Sequence, residues 1–81
     1  MIAPCGIEIK LGQTWKSAGG FDGVVTRIDQ QLDRVEWCSP NYYGSELYAK
    51  FKAGPEFFNN YRWVSLRRFT NKKNGYVFVK G

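Results

Sequence analysis

Side chains that could perform acid, base or nucleophilic chemistry are scarce in this chain of 81 residues. It contains no histidine, so the usual general base near neutral pH and every Ser–His or Cys–His pair are missing. Asp29 and Asp33 flank a short polar segment and could approach one another like the paired carboxylates of glycosidases, although solvated turn acids fit them better. No glycine-rich phosphate-binding motif is present. We therefore expect no enzymatic activity, no catalytic residue and no cofactor.

The thiols Cys5 and Cys38 are the remaining reactive groups. Two thiols without histidine cannot supply the four nitrogen or sulfur ligands of a structural zinc site, so we expect no metal site. Cys38, at the end of a predicted strand, fits a space-filling role better than a nucleophilic one. A reducing cytosol would keep both thiols free, whereas a Cys5–Cys38 disulfide is the alternative.

Charge is distributed unevenly along the chain, whose net charge is +5. Residues 1–49 carry four basic side chains against six acidic ones, a net charge of −2. Residues 50–81 carry eight basic side chains against Glu56 alone, a net charge of +7. Asymmetry of this kind favours a polyanionic partner more strongly than the total charge does.

Aromatic side chains are concentrated between residues 42 and 63. The rings are those of Tyr42, Tyr43, Tyr48, Phe51, Phe57, Phe58, Tyr61 and Trp63. Rings interleaved with cations suit single-stranded nucleic acid, whose bases stack on rings while cations follow the phosphates. Core packing is the favoured interpretation for each ring except Tyr42 and Tyr43, which lie in a predicted loop where an exposed contact role fits equally well. The predicted contact residues are Tyr42, Tyr43, Lys50, Lys52, Arg62, Arg67, Arg68, Lys72 and Lys73.

Short strands must position these side chains. Alternating and β-branched patterns predict strands at residues 7–11, 24–29, 34–38, 47–52 and 76–79. The second and third of these strands form a predicted hairpin around a tight connection at residues 30–33. Val35 and Trp37 are predicted to share one face of the second strand of the hairpin, and the β-branched residues at positions 24, 26 and 28 to share one face of the first.

Other segments break the strand pattern. Residues 1–6 are predicted to be a loose lead-in, and residues 17–23 a turn region rich in glycine. Residues 63–69 could be a strand or a short 3-10 turn. Residues 72–75 end in Asn-Gly, which favours a hairpin turn of type I′.

These elements predict one domain over residues 1–81 with an all-β fold, a small antiparallel SH3-like barrel of five to six short strands. No stretch approaches 18 consecutive apolar residues, so no transmembrane helix is expected. The N-terminal residues lack the basic and apolar pattern of a secretory signal, so we expect a cytoplasmic location.

Two stretches of the chain resemble SH3-like barrels. "GQTWKSAGGFDGVVTRI" followed by "RVEW" is similar to their first strand, flexible loop and Val-rich hairpin. "WVSLRRF" is similar to the short aromatic segment that plugs the barrel end. The likeness covers roughly residues 12–38 and 61–70, and it extends to KOW- and Tudor-type modules and to small prophage-encoded proteins of unknown function. Type II dihydrofolate reductases are similar in size and opening, but their Val-Gln-Ile-Tyr segment is missing.

Two functions fit these observations. The first is a non-enzymatic module that binds nucleic acid through the basic, ring-rich second half of the chain. The second is a protein-interaction or adaptor module, such as a phage-type accessory protein docking on an acidic surface of a host factor. A merely solvated basic face is the alternative for Arg67, Arg68, Lys72 and Lys73. The pattern does not predict an oligomeric state.

Overall fold

The structure, a computed structural model, describes residues 1–40 and 59–81. The predicted strand at residues 47–52 lies outside the described residues. The described strands are β1 (Thr14–Lys16), β2 (Asp22–Asp29), β3 (Arg34–Pro40), β4 (Asn59–Ser65) and β5 (Val77–Lys80). They form one antiparallel sheet in the order β4-β3-β2-β1-β5, and a 3-10 turn over Leu66–Arg68 follows β4. The all-β, antiparallel prediction is confirmed, and the arrangement is consistent with a small barrel.

The β2–β3 hairpin forms as predicted, with an irregularity that decides which side chains enter the core. Val25 lies opposite Trp37, but Arg27 lies opposite Glu36, so β2 contains one extra residue between the two pairs. Such a bulge reverses the alternation of faces. Val25 and Ile28 therefore both contact the core, whereas the predicted set of positions 24, 26 and 28 is split between the two faces.

Four aromatic rings interlock in the core. Trp15 and Phe69 meet edge to face with centroids 5.1 Å apart, as do Trp37 and Tyr76 at 5.2 Å. Phe69 and Tyr76 stack at 5.0 Å. Both buried indoles donate hydrogen bonds, Trp15 Nε1 to Gln13 Oε1 at 3.1 Å and Trp37 Nε1 to the Trp15 carbonyl at 2.8 Å. Satisfied polar tips allow two large amphipathic rings to be fully enclosed.

Gly23 makes room for one of these rings. A Cβ atom at this position would collide with the Trp37 indole, so β2 needs glycine here for close approach. Gly23 lies inside β2 and its φ is not positive, unlike the turn glycine that its sequence context predicted.

The ambiguous segment at residues 63–69 contains both predicted structures. Strand β4 continues to Ser65, where it pairs with Arg34, and the 3-10 turn begins at Leu66. The Leu66 N–H donates to the Asp33 carbonyl at 2.8 Å, which joins this turn to the tip of the β2–β3 hairpin. Phe69 then enters the core and is fully buried.

The N-terminal residues depart from two predictions. Residues 1–6 are not loose: the Ala3 N–H donates to the Ile7 carbonyl at 2.8 Å, and Ala3 is buried. Residues 7–11 form no strand, because only an isolated bridge between Ile2 and Glu8 pairs this segment. Leu11, which the alternation would bury, is exposed.

The turn at residues 72–75 also differs from its prediction. Asn74 and Gly75 lack the positive φ that type I′ geometry requires, and the segment does not join two paired strands. The Gly75 N–H donates to the Lys72 carbonyl at 2.9 Å. A Cβ at Gly75 would lie 2.7 Å from the Arg68 carbonyl oxygen, so glycine is required for close packing. Strand β5 follows one residue later than predicted.

Candidate nucleic-acid interface

The structure describes five of the nine predicted contact residues. Tyr42, Tyr43, Lys50 and Lys52 lie outside the described residues. The described members are all exposed: Arg62, Arg67, Arg68, Lys72 and Lys73. Arg62 lies in β4, the two following arginines in the 3-10 turn, and the two lysines in the turn before β5.

Backbone hydrogen bonds bring the two basic pairs onto one folded segment. The Tyr76 N–H donates to the Arg68 carbonyl at 2.8 Å, and the Asn71 N–H donates to the Tyr76 carbonyl at 2.9 Å. The lysine turn is therefore folded back against the end of the 3-10 turn. This geometry holds the backbone of both pairs in fixed positions while their side chains remain exposed.

Ion pairing divides the described cations into two groups. Every basic side chain of residues 1–40 has an acidic partner: Lys10–Glu8 at 3.7 Å, Lys16–Asp22 at 3.8 Å, Arg27–Glu36 at 3.3 Å and Arg34–Asp29 at 2.9 Å. Residues 59–81 contain six basic and no acidic side chains. None of those six forms an ion pair with a carboxylate in the part of the chain that the structure describes.

Two exposed rings lie on the sheet face that points away from the core. Tyr61 and Trp63 are separated by one residue in β4 and so share a face, and they are 54% and 40% exposed. Val64, which follows Trp63, faces the opposite side and is buried against Val35. Tyr61 pairs with Cys38 and Trp63 with Glu36 on the neighbouring strand.

Two arginines lie over the Trp63 ring. The Arg34 guanidinium carbon is 4.3 Å from the ring centroid and that of Arg27 is 5.9 Å away, both within cation–π range. Each arginine is held by its own carboxylate. Arg34 Nε donates to Asp29 Oδ2, and Arg27 Nε donates to Glu36 Oε1, which also accepts from the Thr26 hydroxyl at 2.8 Å.

The carboxylate of Asp29 holds Arg34, and it also accepts hydrogen bonds from the backbone of the hairpin tip. Its Oδ1 accepts from the backbone N–H groups of Gln31 at 3.1 Å and Leu32 at 3.2 Å. The hydrogen bond from Arg34, followed by that from the Leu32 N–H, lowers the pKa of the Asp29 carboxyl below its ordinary value of 3.8. Asp29 is therefore an ionised anchor that holds Arg34 through one carboxylate oxygen and the backbone of the turn through the other.

Sequence reasoning missed the arginine partners of Trp63. Arg27 and Arg34 belong to the acidic half of the chain, and strand pairing alone brings them to a ring that is about 30 positions away. The usable signal was the alternation in β4, where Val64 is apolar and Tyr61 and Trp63 occupy the other face. Both rings had been grouped with the cluster at residues 42–63, in which core packing was the favoured interpretation.

Comparison with known proteins identifies no relative. No family model matches the chain, and no curated protein or solved structure matches it. Among residues 1–40 and 59–81, no helix is long and apolar enough to cross a membrane. Cys5 and Cys38 are free thiols, Cys38 buried and Cys5 partly so. Within the same described ranges, no three His, Cys, Asp or Glu side chains are grouped so that they could hold a metal ion.

Proposed function

We propose that this protein is a non-enzymatic module that binds nucleic acid through the cations of residues 59–81. The observation that supports the proposal is that the described cations differ in ion pairing between the two parts of the chain. The cations of residues 1–40 are neutralised by neighbouring carboxylates, whereas those of residues 59–81 have no carboxylate among the described residues. Unneutralised, exposed cations on one segment are the electrostatic footprint of a polyanion-binding surface.

The physical basis of the proposal is counterion release. Each cation that neutralises a phosphate releases condensed counterions, so affinity falls as salt rises. A cation already paired with a protein carboxylate contributes less, because the pair must separate or remain neutral. Arg62, Arg67, Arg68, Lys72 and Lys73 are therefore the proposed phosphate contacts.

Two further features support a binding module. The order β4-β3-β2-β1-β5, with a 3-10 turn between β4 and β5, supports the proposed likeness to SH3-like barrels. We also propose that the protein acts in a reducing cytoplasm, where the free thiols of Cys5 and Cys38 would persist.

Fluorescence anisotropy with a labelled single-stranded oligonucleotide tests the proposal across a salt series. We expect tight binding at low salt. When the logarithm of the association constant is plotted against the logarithm of the salt concentration, the magnitude of the negative slope should decrease by about 0.7 for each phosphate contact removed. The double variant Lys72→Gln/Lys73→Gln should flatten the slope. Lys10→Gln/Lys16→Gln changes the net charge equally but removes lysines that are already paired with carboxylates.

The matched pair of variants makes the outcome decisive. A clear loss for the 72/73 variant with little loss for the 10/16 variant supports the proposed surface. Equal losses would mean that only total charge matters. No binding at low ionic strength, or binding that salt does not weaken, would overturn the proposal.

The second candidate is a protein-interaction module, and a specific observation favours it. Trp, Tyr and Arg, the residue types enriched in interface hot spots, lie together on an exposed sheet face as Trp63, Tyr61 and Arg34. A partner with an acidic surface would also match the cations of residues 59–81. Pull-down of a defined partner that survives nuclease treatment would favour this function over the first.

A further inference from the structure

The exposed rings and their arginines form an electrically balanced surface. We use the term aromatic platform for Tyr61, Trp63, Arg27 and Arg34. Its two arginines are paired with Glu36 and Asp29, so the platform and these two carboxylates together carry no net charge. The aromatic platform therefore differs from the cations that follow it in the chain, which have no carboxylate partner among the described residues, and phosphate is not the group that it is suited to bind.

Flat, uncharged π systems are the chemistry that the aromatic platform fits. Bases stack on aromatic rings and also on arginine guanidinium planes. The Arg34 guanidinium, which Asp29 holds over the Trp63 ring, offers such a plane in addition to the ring. Because both arginines are already held by carboxylates, the aromatic platform requires little rearrangement to receive a base.

The spacing of the two rings selects single strands. Residues two apart in a strand are separated by about 6.8 Å, whereas bases in a duplex rise about 3.4 Å per nucleotide. Neighbouring bases can contact both rings only when they are unstacked from one another. Paired bases in a duplex present their edges, and their faces are covered by the next base pair.

We infer that the aromatic platform stacks two bases of single-stranded nucleic acid while the exposed cations after β4, beginning with Arg67 and Arg68, contact the phosphates. This inference rests on the proposed function and assigns its ligand as an extended single strand. The two components are adjacent in the chain, since the 3-10 turn with Arg67 and Arg68 starts directly after β4. The rings provide the preference for single strands, and the cations provide affinity for any nucleic acid.

Intrinsic fluorescence gives a direct reading of this contact. Trp15 and Trp37 are 0% and 2% exposed, whereas Trp63 is 40% exposed. Base stacking on Trp63 should therefore quench the tryptophan signal when an unlabelled single strand is added. Trp63→Phe retains a ring and should retain binding but lose the quenching, because the two remaining indoles are enclosed.

The test measures the affinities for a single strand and for a duplex of the same length, at one low salt concentration. Trp63→Ala and Tyr61→Ala should each weaken single-strand binding about 5- to 150-fold and leave duplex binding nearly unchanged. Leu32→Ala is the matched control, because Leu32 is an exposed apolar residue of the hairpin turn outside the aromatic platform. It should change neither affinity.

The outcomes separate this inference from the proposed function. If ring removal leaves single-strand affinity intact while Lys72→Gln/Lys73→Gln reduces it, the inference fails and the proposed function stands. If ring removal weakens single-strand and duplex binding equally, the effect is structural and the inference also fails. Retained quenching in Trp63→Phe would overturn it independently. If the wild-type protein binds neither ligand, both the inference and the proposed function fail.

Discussion

The two faces of the sheet use tryptophan in opposite ways. On the inner face, Trp37 is buried against the edge-to-face ring of Tyr76, and its indole N–H donates to the Trp15 carbonyl. On the outer face, Trp63 is partly exposed and lies under the guanidinium groups of Arg27 and Arg34. One ring is fixed by a neutral hydrogen bond and close packing, the other by cations that are themselves held by carboxylates.

The contrast separates the part of the sheet that maintains the fold from the part that can contact a ligand. The inner rings have satisfied polar groups and little exposed surface, so they can do little except pack. The outer rings retain exposed surface in a small domain, where burial of large apolar groups is valuable for stability. Retaining exposed aromatic surface in so small a domain favours a role in binding.

The largest expected effect on stability comes from replacing a tryptophan with phenylalanine on the inner face, compared with the same replacement on the outer face. Trp37→Phe removes the donor to the Trp15 carbonyl and leaves a cavity, so it should lower the free energy of unfolding by about 2–4 kcal/mol. Trp63→Phe keeps a ring under Arg34 and should cost about 0.5–1 kcal/mol through a weaker cation–π contact. Urea unfolding monitored by circular dichroism measures both.

The prediction is tested by whether Trp37→Phe loses more unfolding free energy than Trp63→Phe. Equal losses of stability would mean that Trp63 is as structural as Trp37, and the distinction between the faces would be wrong. Wild-type m-values in both variants would confirm that the losses reflect native-state contacts rather than a change in the unfolded ensemble.

An intermediate effect is expected where β2 passes beneath Trp37. Gly23→Ala places a methyl group in the position of the indole ring and should destabilise the protein by about 1–3 kcal/mol, because Trp37 or the strand must shift. Gly19→Ala is the matched control, since a Cβ there meets the Phe21 side chain at 3.5 Å, an ordinary contact distance. Its effect should stay within about 0.5 kcal/mol. Similar losses for both variants would contradict the close approach at Gly23.

Local patterns were sufficient to predict the hairpin and the inner face of β3. Alternation around a polar turn identified β2 and β3, and it placed Val35 and Trp37 on one face, where both are buried. The bulge at Thr26 was not predictable in this way, because it depends on how β2 aligns with β3 and not on the composition of β2. That bulge moves Ile28 to the core side.

The remaining failures have related causes. Alternation at residues 7–11 resembled a strand, but pairing partners decide strand formation, and this segment has only one bridge. Asn74-Gly75 fitted a hairpin turn, yet β5 pairs with β1 and not with the segment before the turn. The contact of Arg34 with Trp63 required the register between β3 and β4, which local sequence does not encode.

The smallest expected effect concerns the anchor of the outer face, the ion pair between Asp29 and Arg34. The folded-state pKa of Asp29 lies below 3.8, so its contribution to stability is fully present well above that pH. The contribution is lost as the pH falls below 3.8 and through the folded pKa. Asp29→Asn should therefore be less stable than the wild-type protein at neutral pH, and the difference should shrink in acid.

Asp33→Asn is the matched control for this anchor, because it changes a neighbouring carboxylate of the same turn that forms no ion pair with the described cations. Asp33 has a φ of 48°, a left-handed conformation that asparagine also accepts. Urea unfolding between pH 7 and pH 3 should show a pH-dependent gap for Asp29→Asn, and at neutral pH Asp33→Asn should lose less stability than Asp29→Asn because it breaks no described ion pair. Trp63 fluorescence at neutral pH should change only in Asp29→Asn, since that variant alone releases Arg34 from its carboxylate above the ring. An unchanged Trp63 signal would mean that Arg34 keeps its place without Asp29, and the aromatic platform would then owe its geometry to strand register alone.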